Sequence, residues 1–280
     1  MAKFAEEANR SAKALSTTTD EYTKASLIYF QQGLGDKEVE ERTNTTIKLM
    51  NVTGESAETA SNWMTSIWNN FDDGSKSLEY YADVLTKLGA TTASSADEIA
   101  TGLEKFAAIG DTVGLSYEYA AAALATVTAT TRQSAEVVGT AFKTLFARIQ
   151  DLELGKTLDD GTTLGQYSQA IAAVGVNIKD ANGGIKDMDI ILDELGAKWK
   201  LLSKDTQIAL AQNVAGIRQY TQFMAIMDNW DFFEENVKNA QEAGGSLEKQ
   251  AQIYADSWEA AQADVENSLE KLWGSLIPED

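Results

Sequence analysis

The side chains that could do chemistry in this sequence are almost all carboxylates. Asp72-Asp73, Asp159-Asp160 and Glu234-Glu235 are adjacent acid pairs, and two carboxylates with separated pKa values are enough for glycoside hydrolysis. Neighbours in sequence, however, point in different directions on a helix or loop. With 43 Asp and Glu residues in the chain, such pairs read as solvated surface. Asp180-Ala-Asn182-Gly-Gly184 opens like a calcium loop, with oxygen ligands at its first and third positions. Its fifth position is Gly184 and its twelfth Ile191, so the bidentate acid is missing; we read a turn, with a weak ion site as the alternative. The sequence has no His and no Cys, which removes the imidazole base, the thiolate nucleophile and the usual zinc ligands. Gly33-Leu-Gly35 lacks the third glycine of a dinucleotide fingerprint and reads as a helix break, and neither a phosphate loop nor a Gly-x-Ser-x-Gly elbow occurs. The expectation is a protein that is not an enzyme, with no catalytic, cofactor-binding or metal-binding residues and no cofactor.

The elements around these groups read as helices. Gly and Ser/Thr/Asp punctuate segments that each repeat apolar residues at helical spacing. From Ser95 to Ile109, Ser95 and Glu98 have capping-box spacing, Ile99, Leu103 and Phe106 share a face, and Gly110 stands as a stop. Lys76 to Leu88 offers Leu78, Tyr81, Leu85 and Leu88 before Gly89, and Ser134 to Gln150 offers Val138, Ala141, Leu145 and Ile149. Between them, Ser116 to Thr130 sets Tyr117, Leu124 and Val127 on a surface otherwise built of Ala, which permits close approach. About residues 3 to 70 read as three or four further helices, broken at Thr17 to Asp20, Gly33 to Gly35 and Thr53-Gly54, with Trp63, Ile67 and Trp68 on the last. The six tryptophans, which include Trp199, Trp230, Trp258 and Trp273, fall on helix faces or ends and read as core or partner packing.

Residues 151 to 165 combine Gly with acids and read as a surface loop, followed by a short helix over 166–174. Alternation around Asn182-Gly183 predicts one small β-hairpin near residues 176–186. Helical spacing resumes over 187–199, 204–214 and 217–230. A long C-terminal helix from Ser246 to Trp273 aligns Leu247, Ile253, Tyr254, Trp258, Ala261, Val265, Leu269 and Leu272, a stripe that must pack or self-associate. The fold class is thus all-α, a multi-helix bundle of short helices with one hairpin and one long helix. The apolar run Leu272 to Ile277 directly before Pro-Glu-Asp suggests a piece of a longer protein.

Charge narrows the partners. The formal net charge is −20, from 23 basic against 43 acidic residues, and such a surface repels a phosphate backbone and an anionic membrane unless a basic patch intervenes. Lys198, Lys200 and Lys204 are the densest basic set. No nucleic-acid binding is expected. Tyr119 to Thr131, the longest uncharged apolar stretch, falls short of the ~20 residues a membrane-spanning helix needs, and the acidic N-terminus is unlike a signal peptide. Membrane contact is expected only through parts outside this chain, and synthesis in a reducing cytoplasm fits the lack of Cys.

From about residue 53 to 235 a set of motifs follows in order. The motifs are Thr101-Gly-Leu-Glu-Lys-Phe-Ala-Ala-Ile-Gly110 running into Gly114-Leu-Ser-Tyr-Glu-Tyr-Ala-Ala-Ala-Ala-Leu-Ala-Thr-Val127, then Thr131-Arg-Gln-Ser-Ala-Glu-Val-Val-Gly-Thr-Ala-Phe-Lys-Thr-Leu-Phe-Ala-Arg-Ile149. Ala172 to Asp180, Gly184-Ile-Lys-Asp-Met-Asp-Ile-Ile-Leu-Asp-Glu-Leu195 and Ala215-Gly-Ile-Arg-Gln-Tyr-Thr-Gln-Phe-Met-Ala-Ile226 follow. In this order the motifs resemble the core region of phage tail tape measure proteins, and the resemblance implies a structural virion protein of a long-tailed phage. Such a protein lies in the lumen of the tail tube, sets tail length during assembly in the host cytoplasm and leaves ahead of the DNA at ejection. It implies tail tube, baseplate or initiator proteins and tail assembly chaperones as partners, and no catalytic residues. The expected organisation is an N-terminal helical arm over 1–52, a tape-measure core over 53–235, and the long helix over 236–280, through which self-association is possible. A cytosolic helical adaptor without catalysis is the alternative, and a carboxylate-based wall glycosidase a third class.

Overall fold

The computed structural model describes the backbone of residues 2–276 and the side chains of residues 6–257 and 259–273. The described residues form fifteen α-helices and no strand, so the all-α expectation holds. They divide into two compact units.

The first unit gathers residues up to 68, 72–87 and those from 243 onward. It contains α1 (Ala2–Ala14), α2 (Thr19–Gln31), α3 (Asp36–Thr53), most of α4 (Ala57–Phe71) and α5 (Leu78–Thr91), and then α14 (Ser246–Ala255) and α15 (Trp258–Leu276). Thr18 and Ser56 cap α2 and α4, accepting from the N–H of Glu21 and Thr59, which satisfies donors that a helix start leaves orphaned. Gly54 ends α3 at φ 75°, a left-handed conformation that glycine adopts without steric cost. Ala8, Ala12, Tyr22, Ala25, Ile47 and Ala57 form one core cluster. Beside it Tyr29 is fully buried, pairs its hydroxyl with Thr46 at 2.6 Å and tilts against Trp68. The Arg42 guanidinium sits 4.7 Å over the Trp68 ring, a cation–π contact.

The second unit holds 69–71 and 88–242. Its helices are α6 (Ala96–Thr112), α7 (Tyr117–Thr131), α8 (Ala135–Glu153), α9 (Leu164–Ala172), α10 (Met188–Trp199), α11 (Lys204–Ala215), α12 (Tyr220–Asp228) and α13 (Trp230–Gln241). The capping box that starts α6 is present, with the Glu98 carboxylate accepting the Ser95 N–H at 3.0 Å. The Ala-rich α7 is buried on every side along Tyr119 to Thr128, because Ala side chains let α6, α8, α12 and α13 all approach it. A helix without a polar face belongs inside.

Several sequence expectations change. Gly89 and Gly110 do not stop their helices; α5 and α6 run through them to Thr91 and Thr112. At Gly89 the reason is packing, since a Cβ there would lie 2.7 Å from the backbone nitrogen of Ala96. The hairpin near 176–186 is not formed. Only one antiparallel bridge, Lys179 to Ile185, is present. Backbone pairing across it is confined to Asp180 N–H on the Gly184 carbonyl and Lys186 N–H on the Ile178 carbonyl, while the Asn177 and Asp180 side chains accept the N–H groups of Lys179, Asn182 and Gly184, local bonds that favour a turn over extended strands. The segment 217–230 begins its helix only at Tyr220, and α13 continues after a break at Asn229, in a stretch where apolar spacing marks no separate helix. The long C-terminal helix is absent. It is divided at Asp256-Ser257, where Ser257 accepts the N–H of Ala260 through its hydroxyl and that of Ala261 through its carbonyl, starting a new helix. Ile277 to Asp280 lie outside the described residues.

Candidate functional site

The predicted chemical groups are dispersed and turned toward backbone. Asp72 and Asp73 each accept an N–H two residues on, from Gly74 at 3.0 Å and Ser75 at 2.9 Å. Asp160 accepts from Thr162 N–H at 3.0 Å and from Arg148 Nη1 at 2.8 Å. The Thr162 side chain and N–H, with the Arg148 charge, hold it down to about 2. Glu234 and Glu235 are exposed on α13. In the calcium-like loop, Asp180 Oδ1 already accepts from Asn182 and Gly184 at 2.8 and 2.9 Å. Among the described residues no group of three or more acids is placed to hold a metal ion. The three lysines of the basic set are engaged: Lys198 with the Gly175 carbonyl, Lys200 with Asp231 and Lys204 with Asp228. Trp63, Trp68, Trp199 and Trp230 are core, while Trp273 is exposed; the Trp258 side chain lies outside the described residues.

What the structure does bring together is the set of sequence motifs in the second unit, and the joints are glycines. Gly139 of α8 meets Gly102 of α6, and a Cβ on Gly139 would lie 3.0 Å from Gly102 Cα. Gly102 in turn accommodates Leu124 of α7, whose Cδ2 would be 2.6 Å from a Cβ there. Gly196 of α10 lies under the Trp230 ring, and the Arg148 guanidinium lies against Gly216. At φ +78° and with Arg148 Cζ only 3.0 Å from where a Cβ would stand, Gly216 needs both its freedom and its lack of side chain. Phe106, Phe142 and Phe146 complete the α6–α8 seam with centroids 5.4–5.9 Å apart.

A cluster of acids sits where Gly114-Leu-Ser116 meets the start of α10. Asp189 accepts the Ser116 N–H at 3.2 Å, Asp193 accepts the Tyr119 hydroxyl, and Asp187 crowds Gly114 closely enough that a Cβ there would be 2.7 Å from its own. Burial raises the Asp189 carboxyl to about 6; the Ser116 bonds oppose this and the charges of Asp193 and Asp187 add to it. Burial, then the Asp193 bond and charge, push the Tyr119 hydroxyl far up. The arrangement makes a joint rather than a reacting pair, because Asp189 and Asp193 are each spent on an N–H or O–H donor.

Two polar side chains in the first unit carry joints that the sequence reading did not single out. Asn267 of α15 is buried; its Oδ1 accepts from the Thr19 N–H and hydroxyl at 2.9 and 3.0 Å, and its Nδ2 donates to the Thr17 carbonyl at 2.5 Å. Asp83 of α5 accepts from Gly245 and Leu247 N–H at 2.9 and 2.7 Å, capping α14 from outside it. The sequence signal for Asn267 is its spacing of four and seven from Ala263 and Ala260, a small-residue face. Asp83 gives none. The same unit has an open cleft of about 1100 Å³ lined by polar groups including Asn44, Lys48, Asp72, Lys76 and Glu79. No described helix is long and apolar enough to cross a membrane.

The family profile described as phage-related minor tail protein matches residues 6–216, about three quarters of the sequence, and takes in the motifs from Thr101 through Leu195. Among solved structures none matches. With glycine joints uniting those motifs in one unit and the profile spanning them, the chain belongs to the phage-related minor tail protein family.

Proposed function

We propose that this chain is a non-enzymatic, helical part of a tail tape measure protein. It lies in the tail tube lumen of the virion, acts in tail assembly and length determination, and is released ahead of the DNA. Its apolar helix faces would meet tube, baseplate or initiator proteins and assembly chaperones. The observation that carries this reading is the family match over residues 6–216, supported by the order of the tape-measure motifs within it. The longest described helices have 19 residues, or about 28 Å at 1.5 Å per residue. A chain folded this way contributes compact units rather than an extended rod, so the measuring length lies in other parts of the protein. A net charge of −20 repels DNA that must later pass through the same tube.

In-frame removal of the codons for 53–235 from a phage that carries this gene tests the proposal, with tails counted and measured by electron microscopy. Absent tails, or tails of altered length, are expected. Normal tails at normal yield would overturn it, and capture of one host protein without any tail component would favour a cytosolic adaptor instead.

A further inference from the structure

The first unit contains a notch whose charged lining consists of acceptors. About 270 Å³ in volume, it lies where α2 and α15 begin and α3 and α14 end, and Glu21, Glu259 and Glu266 line it. Among the described residues no Lys or Arg does so. Two helix starts and two helix ends bring partial charges of opposite sign, so the carboxylates decide the field. Glu21 is partly committed, to the Ala57 N–H at 3.3 Å and to Lys24 at 3.4 Å. Glu259 and Glu266 are exposed, and among the described residues neither enters an ion pair.

Asn51 of α3 lines the same notch and is only 7% exposed. Its Nδ2 donates to the Leu15 carbonyl at 2.7 Å. A carbonyl can only accept, which fixes the orientation of the amide and leaves Oδ1, closed off from solvent, without a donor. Buried acceptors are nearly always paired. Exposed acids are satisfied by water, but this oxygen calls for a donor that enters the notch. A metal ion does not suit it, since among the described residues no three acids are placed to hold one. A single small cation does not match the rim either. Glu259 and Glu266 stand seven residues apart on one face of α15, about 10.5 Å along the helix.

We propose that this notch binds a linear alkyl polyamine, with one ammonium donating to Asn51 Oδ1, the others meeting Glu259 and Glu266, and the methylenes on Met50 and Tyr254. An ammonium offers donors and no acceptor, the complement of this lining, and a flexible chain spaces its charges as the acids are spaced. Oδ1 is reached by a side-chain adjustment of the kind common on binding. Tyr254 and Glu259 already sense each other: burial, then the Glu259 charge, hold the Tyr254 hydroxyl above its ordinary value. A ligand seated there bridges α3 and α15 beside the joint that Asn267 makes with Thr17 and Thr19. The site concerns the first unit alone and does not depend on the tail assignment.

A net charge of −20 attracts any polycation weakly, so the test must separate a site from that background. Calorimetric titration of the full chain with spermidine, in about 0.15 M NaCl to screen distant charges, should show one saturable site. Glu259→Gln with Glu266→Gln should weaken it about tenfold. Glu234→Gln with Glu235→Gln removes the same charge from the exposed face of α13 and should leave the affinity unchanged. Equal weakening by the two double variants, or uptake that never saturates, would overturn the proposal. Butylamine, with a single ammonium, should bind about tenfold more weakly than spermidine; equal affinity would assign the notch to a lone ammonium such as a lysine side chain and end the polyamine reading. In spectra of the ¹⁵N-labelled chain the Asn51 side-chain amide should shift on saturation with spermidine, and an amide that stays in place would refute the seating of the inner ammonium.

Discussion

The two units solve the same packing problem by different means. In the second, helices touch through missing side chains: Gly102 on Gly139, Gly196 beneath Trp230, Gly216 beneath Arg148, with α7 paved in Ala. In the first, segments far apart in the chain are fastened by buried polar groups: Asn267 on the α1–α2 turn, Asp83 on the start of α14, Lys48 between Glu79 and Glu248. The distinction follows from connectivity. The second unit is almost one continuous stretch whose successive helices are delivered side by side, so shape alone suffices to seat them. The first must place α14 and α15 against helices more than 150 residues earlier, and directional bonds specify that seat where Ala and Asn surfaces offer few alternatives.

The largest effect should come from filling a glycine joint. Gly139→Ala would press a methyl group onto the backbone of Gly102, and since a backbone cannot rotate away, α6 and α8 must separate along a seam that includes Phe106 and Phe142. Overpacking of this kind costs about 3 kcal/mol, which corresponds to a fall of roughly 6–12 °C in melting temperature for a unit of this size. Gly165→Ala, whose Cβ would meet only Thr163 Oγ1 at 3.9 Å within the first turn of α9, should leave the melting curve within about 1 kcal/mol of the parent. Equal effects at the two positions would remove the shape argument for the second unit.

Next in size is the loss of a buried polar joint. Asn267→Ala leaves the Thr19 N–H and the Thr17 carbonyl without their partner, at about 2–3 kcal/mol for unsatisfied buried groups. Limited proteolysis should then cut within 258–273 faster, while the second unit keeps its resistance. If α15 stays protected, apolar contact with α1 rather than Asn267 holds it, and the contrast between the units weakens.

Much of this was legible from residue types and spacing, and the failures have a common cause. The capping box at Ser95, the helices that begin after Ser116 and Ser134, and the buried positions Val138, Leu145 and Ile149 follow from short-range patterns that tertiary structure left intact. Gly89 and Gly110 misled because glycine has two uses, freedom of φ and lack of volume, and only the neighbouring helix decides which applies. The 176–186 segment misled because alternation describes side-chain facing, not whether a ladder forms; Asp180 took the N–H groups first. The break at Asp256-Ser257 is a local competition of the same kind. The joints themselves, Asn267 and Asp83, depend on pairs separated by more than 150 residues, and no window of periodicity reaches that far.

A smaller effect separates the units by pH. Asp189 in the second unit has its folded carboxyl raised to about 6, chiefly by burial, above the 3.8 of the unfolded chain. The folded state therefore binds the proton more tightly, so this contribution is fully present below about pH 4 and is lost as pH rises through 6. Between pH 7 and pH 5 the second unit should gain about 1 kcal/mol from this residue. Asp189→Asn should remove that part of the pH dependence in denaturant titrations; an unchanged slope would show that Asp189 is not its source.

The smallest effects should come from ion pairs, and a covered pair in the first unit can be set against an exposed pair in the second. Lys48 in the first unit is largely covered, its side chain 18% exposed; desolvation pulls its pKa down, yet the bonds to Glu248 and Glu79 hold it above the ordinary value. Lys48→Met leaves those two carboxylates facing each other, so a loss of about 1 kcal/mol is expected. Lys200 in the second unit pairs with Asp231 at side-chain exposures of 62% and 77%, where solvent and salt screen the attraction, and Lys200→Ala should cost less than about 0.5 kcal/mol. Raising NaCl to about 1 M shortens the screening length to about 3 Å. That should erase whatever Lys200 contributes while leaving most of the Lys48 effect, since a covered pair is screened less. If salt removes both equally, Lys48 is no joint, and the first unit is held by Asn267 and Asp83 alone.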